Sequence, residues 1–194
     1  MRKTKEDAEE TKNNILKVAI EIFFKYGYEN ATLEQISKAA GVTRGAVYWH
    51  FENKQNLFKC TIQSILEEIS EAKRLIISKY FGDHEKIISN LLWLPREMTM
   101  HFQYIEKALL SIDQSDQADE FEEIVKDIVK TKLRLYYYFL EELRQAKMYS
   151  NSQLENKAVL LYTIFEGMYS CNIPEEIDSK ISKNLISNFV NQVI

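Results

Sequence analysis

Apolar residues recur three or four positions apart along almost the whole chain, and very little interrupts them. Among 194 residues there are only 5 Gly and 2 Pro. Spacing of three and four places side chains on one face of an α-helix, whereas a half-buried strand would alternate. A chain patterned in this way, and so poor in turn residues, is expected to be all-α.

The individual helices can be read from their stripes and ends. Ile15, Ala19, Ile22, Phe23 and Tyr26 form the first stripe, with Gly27 placed as a left-handed cap. Thr32 and Gln35 make a capping box for a short helix whose buried side is Ile36, Ala39 and Ala40, and Gly41 ends it. Thr43 caps the next helix, with Val42 and Val47 as a hydrophobic staple. Asn53 caps a long helix that carries Leu57, Thr61, Ile65, Ile69 and Ala72 on one face and runs to Phe81 before Gly82.

The second half predicts a helix over 87–98, kinked or ended by Pro95, and another over 102–112. Asp116 and Asp119 open a long helix with Phe121, Ile124, Ile128, Leu135, Phe139 and Leu143 inward. Ser152 with Glu155 reads as a capping box for a helix over 154–171. A last helix has Pro174 in its first turn and carries Ile177, Ile181, Leu185, Phe189 and Val193, each four apart, as its main stripe.

Charge is unevenly spread. Residues 1–59 hold 10 Lys/Arg and 8 Asp/Glu, a balance of +2, and the remaining 15 and 21 give −6, which together make the overall −4. A basic head on an acidic body can meet DNA with one end. Cys60 and Cys171 lie in no CxxC or Cys/His cluster, so no metal or other cofactor is expected, and both fit as small apolar residues in a reducing cytoplasm. No targeting signal or membrane-length apolar run is visible, which implies a cytoplasmic protein. HExxH, P-loop and GxSxG patterns are all missing, and the three histidines His50, His84 and His101 form no nucleophilic pair, so an enzyme is not expected.

Function is concentrated in Thr32 to Phe51, TLEQISKAAGVTRGAVYWHF. Two short helices joined by a turn with Gly form a helix-turn-helix. In the second, Val47 and Phe51 point inward, while Gly45, Tyr48 and Trp49 lie on or near the opposite face. Thr43 and Arg44 stand at its N-terminus, the end that meets base edges in the major groove. Arg44 can bond guanine O6 and N7 in a bidentate fork, and Gly45 lets the backbone approach. Tyr48, His50 and Lys54 can donate to phosphates. The N-terminal arm with Arg2, Lys3 and Lys5 can reach the minor groove or remain a solvated tail.

From about Glu9 to Ile69, through KTKEDAEET, TLEQISKAAGVTRGAVYWHF and NKQNLF, the chain resembles the TetR family, most of all its multidrug-efflux repressors of the AcrR type. The resemblance implies an all-α protein with a three-helix DNA-binding domain over 1–60 and a helical ligand-binding and dimerisation domain over 61–194. It implies that Thr32 touches a phosphate, that Thr43, Arg44, Gly45 and Tyr48 line the major groove, and that Trp49, His50 and Lys54 hold the backbone. It further implies an inducer pocket in the second half, where Trp93, Phe102, Tyr136, Phe139, Tyr162, Phe165 and Tyr169 supply aromatic lining and Glu106 and Glu166 could counter a cationic ligand.

The helix over 154–171 is apolar nearly all round, because Val159, Leu160 and Ile164 fall outside its main stripe, and Ile186 and Val190 add to the last helix. A helix apolar on two sides needs a second partner. The family-like answer is a homodimer joined through a four-helix bundle that also takes in Leu185 and Phe189. The expected whole is a repressor of double-stranded palindromic operator DNA, released by a small apolar or amphipathic inducer and controlling an efflux gene. The alternative is a helical ligand-binding or adaptor protein without DNA regulation.

Overall fold

A computed structural model describes residues 5–113, 118–145, 151–168 and 175–193. All the regular structure in them is helical. The elements are α1 (Lys5–Asn30), α2 (Leu33–Ala39), α3 (Arg44–Phe51), α4 (Lys54–Lys79), α5 (His84–Glu97), α6 (Thr99–Asp113), a 3-10 turn (Ala118–Phe121), α7 (Glu122–Gln145), α8 (Asn151–Met168), a short α9 (Glu175–Asp178) and α10 (Lys183–Val193). No helix among the described residues is long and apolar enough to cross a membrane.

The chain forms two compact units. One takes the described residues up to Leu66 together with Tyr104–Lys126, and the other takes Glu67–Gln103 with the described residues from Asp127 onward. The boundaries therefore fall inside α4, α6 and α7 rather than in loops.

In the first unit α1, α2 and α3 pack on one another around Ile15, Ala19, Phe23, Ile36, Val47 and Phe51, all buried. Rings of Phe23, Tyr28, Phe58 and Phe121 meet at centroid distances of 4.9–6.3 Å. Each buried aromatic of this kind contributes roughly 1.5–3 kcal/mol. Thr61 lies in the apolar stripe of α4, but its hydroxyl is satisfied. Its Oγ1 donates to the Phe58 carbonyl at 2.6 Å and lies 2.6 Å from the Tyr104 hydroxyl. A hydroxyl has one proton, so Tyr104 is the donor in the second bond.

In the second unit α5 packs against α8 and α10, with Ile87, Ile88, Leu91 and Leu92 buried. Ile128, Leu135, Phe139 and Leu143 are buried along α7, as their spacing predicts. Pro95 lies inside α5, which continues to Glu97. His84 Nδ1 lies 2.6 Å from the buried Glu142 carboxylate and ties the start of α5 to α7.

Several sequence expectations shift in detail. Tyr26 is exposed, and Tyr28 takes the inward place beyond Gly27. Gly27 has φ 73 as expected, but ψ 169 makes it an extended kink reserved for glycine rather than a left-handed cap. Ala39 is exposed, since α2 is only seven residues long and buries Leu33, Ile36 and Ser37. α8 is already helical at Asn151, so Ser152 lies inside it rather than before it. The last helix is two, because Ser182 caps a new start by accepting from Leu185 N at 3.2 Å. The main stripe, through Ile177 and Leu185, is not the face that the chain itself buries. Leu185 is 52% exposed and Ile177 54%, while Ile186 and Val190 are buried in the chain itself. One residue is 100° of helix, so the buried face of α10 lies that far round from the 185/189 stripe. Asp116, Tyr169, Cys171 and Pro174 lie outside the described residues.

Candidate nucleic-acid interface

Each short helix of Thr32–Phe51 is held at both ends by local chemistry. Thr32 has extended backbone, and its Oγ1 accepts from Gln35 N at 3.2 Å while Gln35 Oε1 accepts from Thr32 N at 2.9 Å, the reciprocal box expected. At the far end of α2, Val42 N donates to Ser37 O at 3.0 Å and Gly41 N to Lys38 O at 3.3 Å. With Gly41 at φ 67, this is a Schellman termination. Asn14 of α1 adds a hydrogen bond from Nδ2 to Ala40 O at 2.9 Å, which pins the turn to the first helix. Its partner is 26 residues away, so no local pattern in the sequence announces it.

α3 starts at Thr43, whose Oγ1 accepts from Ala46 N at 3.1 Å and keeps its own proton to donate outward. Val47 and Phe51 are buried. Thr43, Arg44, Gly45, Tyr48 and Trp49 are exposed, with Trp49 at 73%. Arg44 Nη2 donates to Tyr48 Oη at 3.2 Å, and the guanidinium lies 5.5 Å from the ring centroid. His50 is half-buried, between the Trp49 ring at 4.5 Å and the Phe51 ring at 6.0 Å. Thr32 is exposed at the start of α2.

The connection from α3 to α4 is as short as a turn can be. Glu52 has φ 62 and ψ −51, and Asn53 N donates to Phe51 O at 2.6 Å. Those values describe a γ-turn of the rare, strained hand. Asn53 then caps α4, its Oδ1 accepting from Asn56 N at 2.7 Å. Lys54 follows in the first turn, as expected. Its ammonium donates to Glu29 O at 3.0 Å and lies 4.5 Å from the Tyr28 ring centroid. Burial pushes its pKa below the usual lysine value, with the charge of Glu29 acting the other way.

Residues 15–60 match the bacterial regulatory proteins of the tetR family. The match takes in α2, α3 and the start of α4. AcrR of Shigella flexneri, an HTH-type transcriptional regulator, is 41% identical over 91 residues, which cover 47% of this chain and 42% of that one. The match thus spans less than half of that relative's length. Solved structures extend the likeness of fold over nearly the whole chain. A transcriptional regulator from Rhodococcus sp. Rha1 superposes with a TM-score of 0.67 at 13% identity, covering 94% of this chain and 95% of that one. NalD, the secondary repressor of the MexAB-OprM multidrug efflux pump in Pseudomonas aeruginosa, gives 0.58 at 22%, covering 96% and 97%.

The residues expected around an inducer are distributed as follows. Phe102, Phe139 and Phe165 are buried in the second unit, with Phe102 and Phe165 edge-on at 5.5 Å. Trp93, Tyr136 and Tyr162 are half-buried there, and the last two meet at 6.2 Å. Glu106 belongs to the first unit. Glu166 is already engaged in the chain, since Lys132 Nζ lies 2.7 Å from its Oε2. A hydrogen bond and the charge of Glu166 help burial to push the Tyr162 hydroxyl well above the usual tyrosine range. Among the expected dimer residues, Val159, Leu160 and Leu185 are exposed and Ile164 and Phe189 half-buried, whereas Ile186 and Val190 are core. Among the described residues no three His, Cys, Asp or Glu side chains gather as metal ligands.

Proposed function

We propose that the chain is a transcription repressor that binds double-stranded palindromic operator DNA through α2 and α3 and leaves it when a small apolar or amphipathic molecule binds in its second half. The observation that carries this reading is the two-sided character of α3. It buries Val47 and Phe51 and presents Thr43, Arg44, Gly45, Tyr48 and Trp49 together. A helix of that kind fits the major groove with its N-terminal residues at base edges. Thr32, Trp49, His50 and Lys54 hold the phosphate backbone on either side.

In this reading 1–60 is the reading domain and 61–194 binds ligand and joins two copies. The dimer forms through Val159, Leu160 and Ile164 of α8 with Leu185 and Phe189 of α10, and sets two α3 helices about 34–36 Å apart, or a multiple of that, to match a palindrome. Trp93, Phe102, Tyr136, Phe139, Tyr162 and Phe165 line the inducer site. The protein works in the cytoplasm, has no catalytic role and, like NalD, has an efflux gene as its target.

The test is selection of duplexes from a random pool by the purified protein, followed by gel shifts at graded salt. The expected outcome is an inverted-repeat sequence bound with steep salt dependence. A protein that enriches no sequence and is not retained on heparin or duplex DNA would overturn the reading.

A further inference from the structure

Lys54 is held before any DNA arrives. A free lysine side chain carries about 2 kcal/mol of rotamer entropy, and fixing it on binding would cost affinity. Here the Glu29 carbonyl accepts a hydrogen bond from one ammonium N–H at 3.0 Å, and the face of Tyr28 lies 4.5 Å away. An ammonium has three N–H donors, so two remain for an incoming phosphate.

Tyr28 is itself fixed. It is 6% exposed, with the Phe58 ring at 4.9 Å and the edge of Phe121 at 5.1 Å. Phe121 ends the 3-10 turn that leads into α7 and is fully buried. The same turn makes a second link, because Gln55, the neighbour of Lys54, donates to the Glu120 carboxylate. Ring against ring against cation thus runs Phe121, Tyr28, Lys54, all within one compact unit.

We infer that Tyr28 and Phe121 are positioning residues for a phosphate grip by Lys54, so that the turn Ala118–Phe121 helps to set DNA affinity although it lies far along the chain from α2 and α3. The inference rests on the DNA-binding reading above. Removing the ring face releases the ammonium, and the cost of ordering it then outweighs one exposed phosphate contact of about 0–1 kcal/mol, so the grip is lost.

The experiment measures binding of the full-length chain to a random-sequence duplex over a range of salt. Lys54→Ala should weaken binding several-fold on any sequence and flatten the salt dependence by about one ion. Tyr28→Leu, which keeps apolar volume but loses the ring, should reproduce that flattening and have no further effect in the Lys54→Ala background. Tyr28→Phe keeps the ring and should keep the wild-type slope. Phe121→Leu should fall between, and it serves alone if Tyr28→Leu fails to fold by circular dichroism. A folded Tyr28→Leu or Phe121→Leu with the wild-type salt slope, or losses that multiply with Lys54→Ala, would overturn the inference. A wild-type chain with no salt-dependent binding would instead bring down the DNA-binding reading.

Discussion

Arg44 and Tyr48 touch across one turn of α3, with guanidinium Nη2 donating to the phenolic oxygen at 3.2 Å. Both side chains are exposed, so the pair stands at the surface that would meet DNA. The bond occupies one of five guanidinium donors and limits the directions in which the rest of the fork can point. Arg44→Ala should relax base preference at one position of a selected operator by about 1–3 kcal/mol. Tyr48→Phe should reduce the same preference by a smaller factor and leave binding to random duplex nearly unchanged. Competition gel shifts against single-base operator variants check both. Equal losses on every sequence would show that the pair does not read bases.

The turn between α2 and α3 depends on Gly41. A Cβ there would meet nothing within 4 Å, so space is not the obstacle, but φ 67 is. A left-handed residue other than Gly costs about 1–2 kcal/mol. Gly41→Ala should lower unfolding free energy by that amount in denaturant melts, and Gly41→Asn by less, because Asn tolerates this conformation. Identical midpoints for Gly41→Ala and wild type would contradict the assigned backbone.

Lys73 on α4 is half-buried, and burial, helped by the nearby Arg134, pushes its pKa down to about 8. In the unfolded chain a lysine keeps its proton to about 10.4. Between those values the unfolded state binds more protons, so stability should rise with pH from about 8 to 10. Below 8 the cost of the buried charge is fully present. Each tenfold change in proton affinity is about 1.4 kcal/mol, so Lys73→Met should stabilise at pH 7 by roughly 1–3 kcal/mol and remove the rise. Urea melts at pH 7 and 10 decide this, and a variant no more stable than wild type at pH 7 would refute it.

What the sequence made legible follows the range of the interactions. Thr32 with Gln35, Thr43 with Ala46 and Asn53 with Asn56 each close within three residues, so their caps could be read directly. The exposed face of α3 follows from Val47 and Phe51, four apart. Contacts across the fold left no such trace. Asn14 reaches Ala40, Lys54 reaches Glu29, and Lys132 pairs with Glu166 across 34 positions. The buried face of α10 was hidden for another reason. Apolar residues at both 185/189 and 186/190 allow two stripes, and periodicity gives the spacing of a face but not its phase. Packing of α10 on α5 chooses Ile186 and Val190 as the inward pair.

That phase makes the proposed dimer testable without ambiguity. Leu160 and Leu185 are exposed in the single chain, while Val190 is fully buried. Leu160→Arg or Leu185→Arg should give folded monomers, since the charge can stay in water until two copies meet. Val190→Arg places a charge in the core of one chain and should prevent folding or yield aggregates. Sedimentation velocity with circular dichroism separates the two outcomes. Dimers of unchanged affinity in both exposed-site variants would move the interface elsewhere.

Glu166 already carries Lys132 at 2.7 Å, so a cationic ligand would have to displace that ammonium before gaining the carboxylate. An apolar or amphipathic molecule has no such competitor and gains by covering the half-buried rings of Tyr136 and Tyr162. Ligands of this kind should therefore bind more tightly than cations of similar size, and Lys132→Met should narrow the difference. Coupling of about 1–3 kcal/mol would lower operator affinity roughly 5- to 150-fold on ligand binding. Linkage then requires operator to weaken ligand binding by the same factor. Trp93 is half-buried in the second unit and reports binding by fluorescence, with Trp49→Phe silencing the exposed tryptophan. Titration with and without operator tests the coupling directly. A ligand held equally tightly in both titrations would show that its site does not govern DNA release.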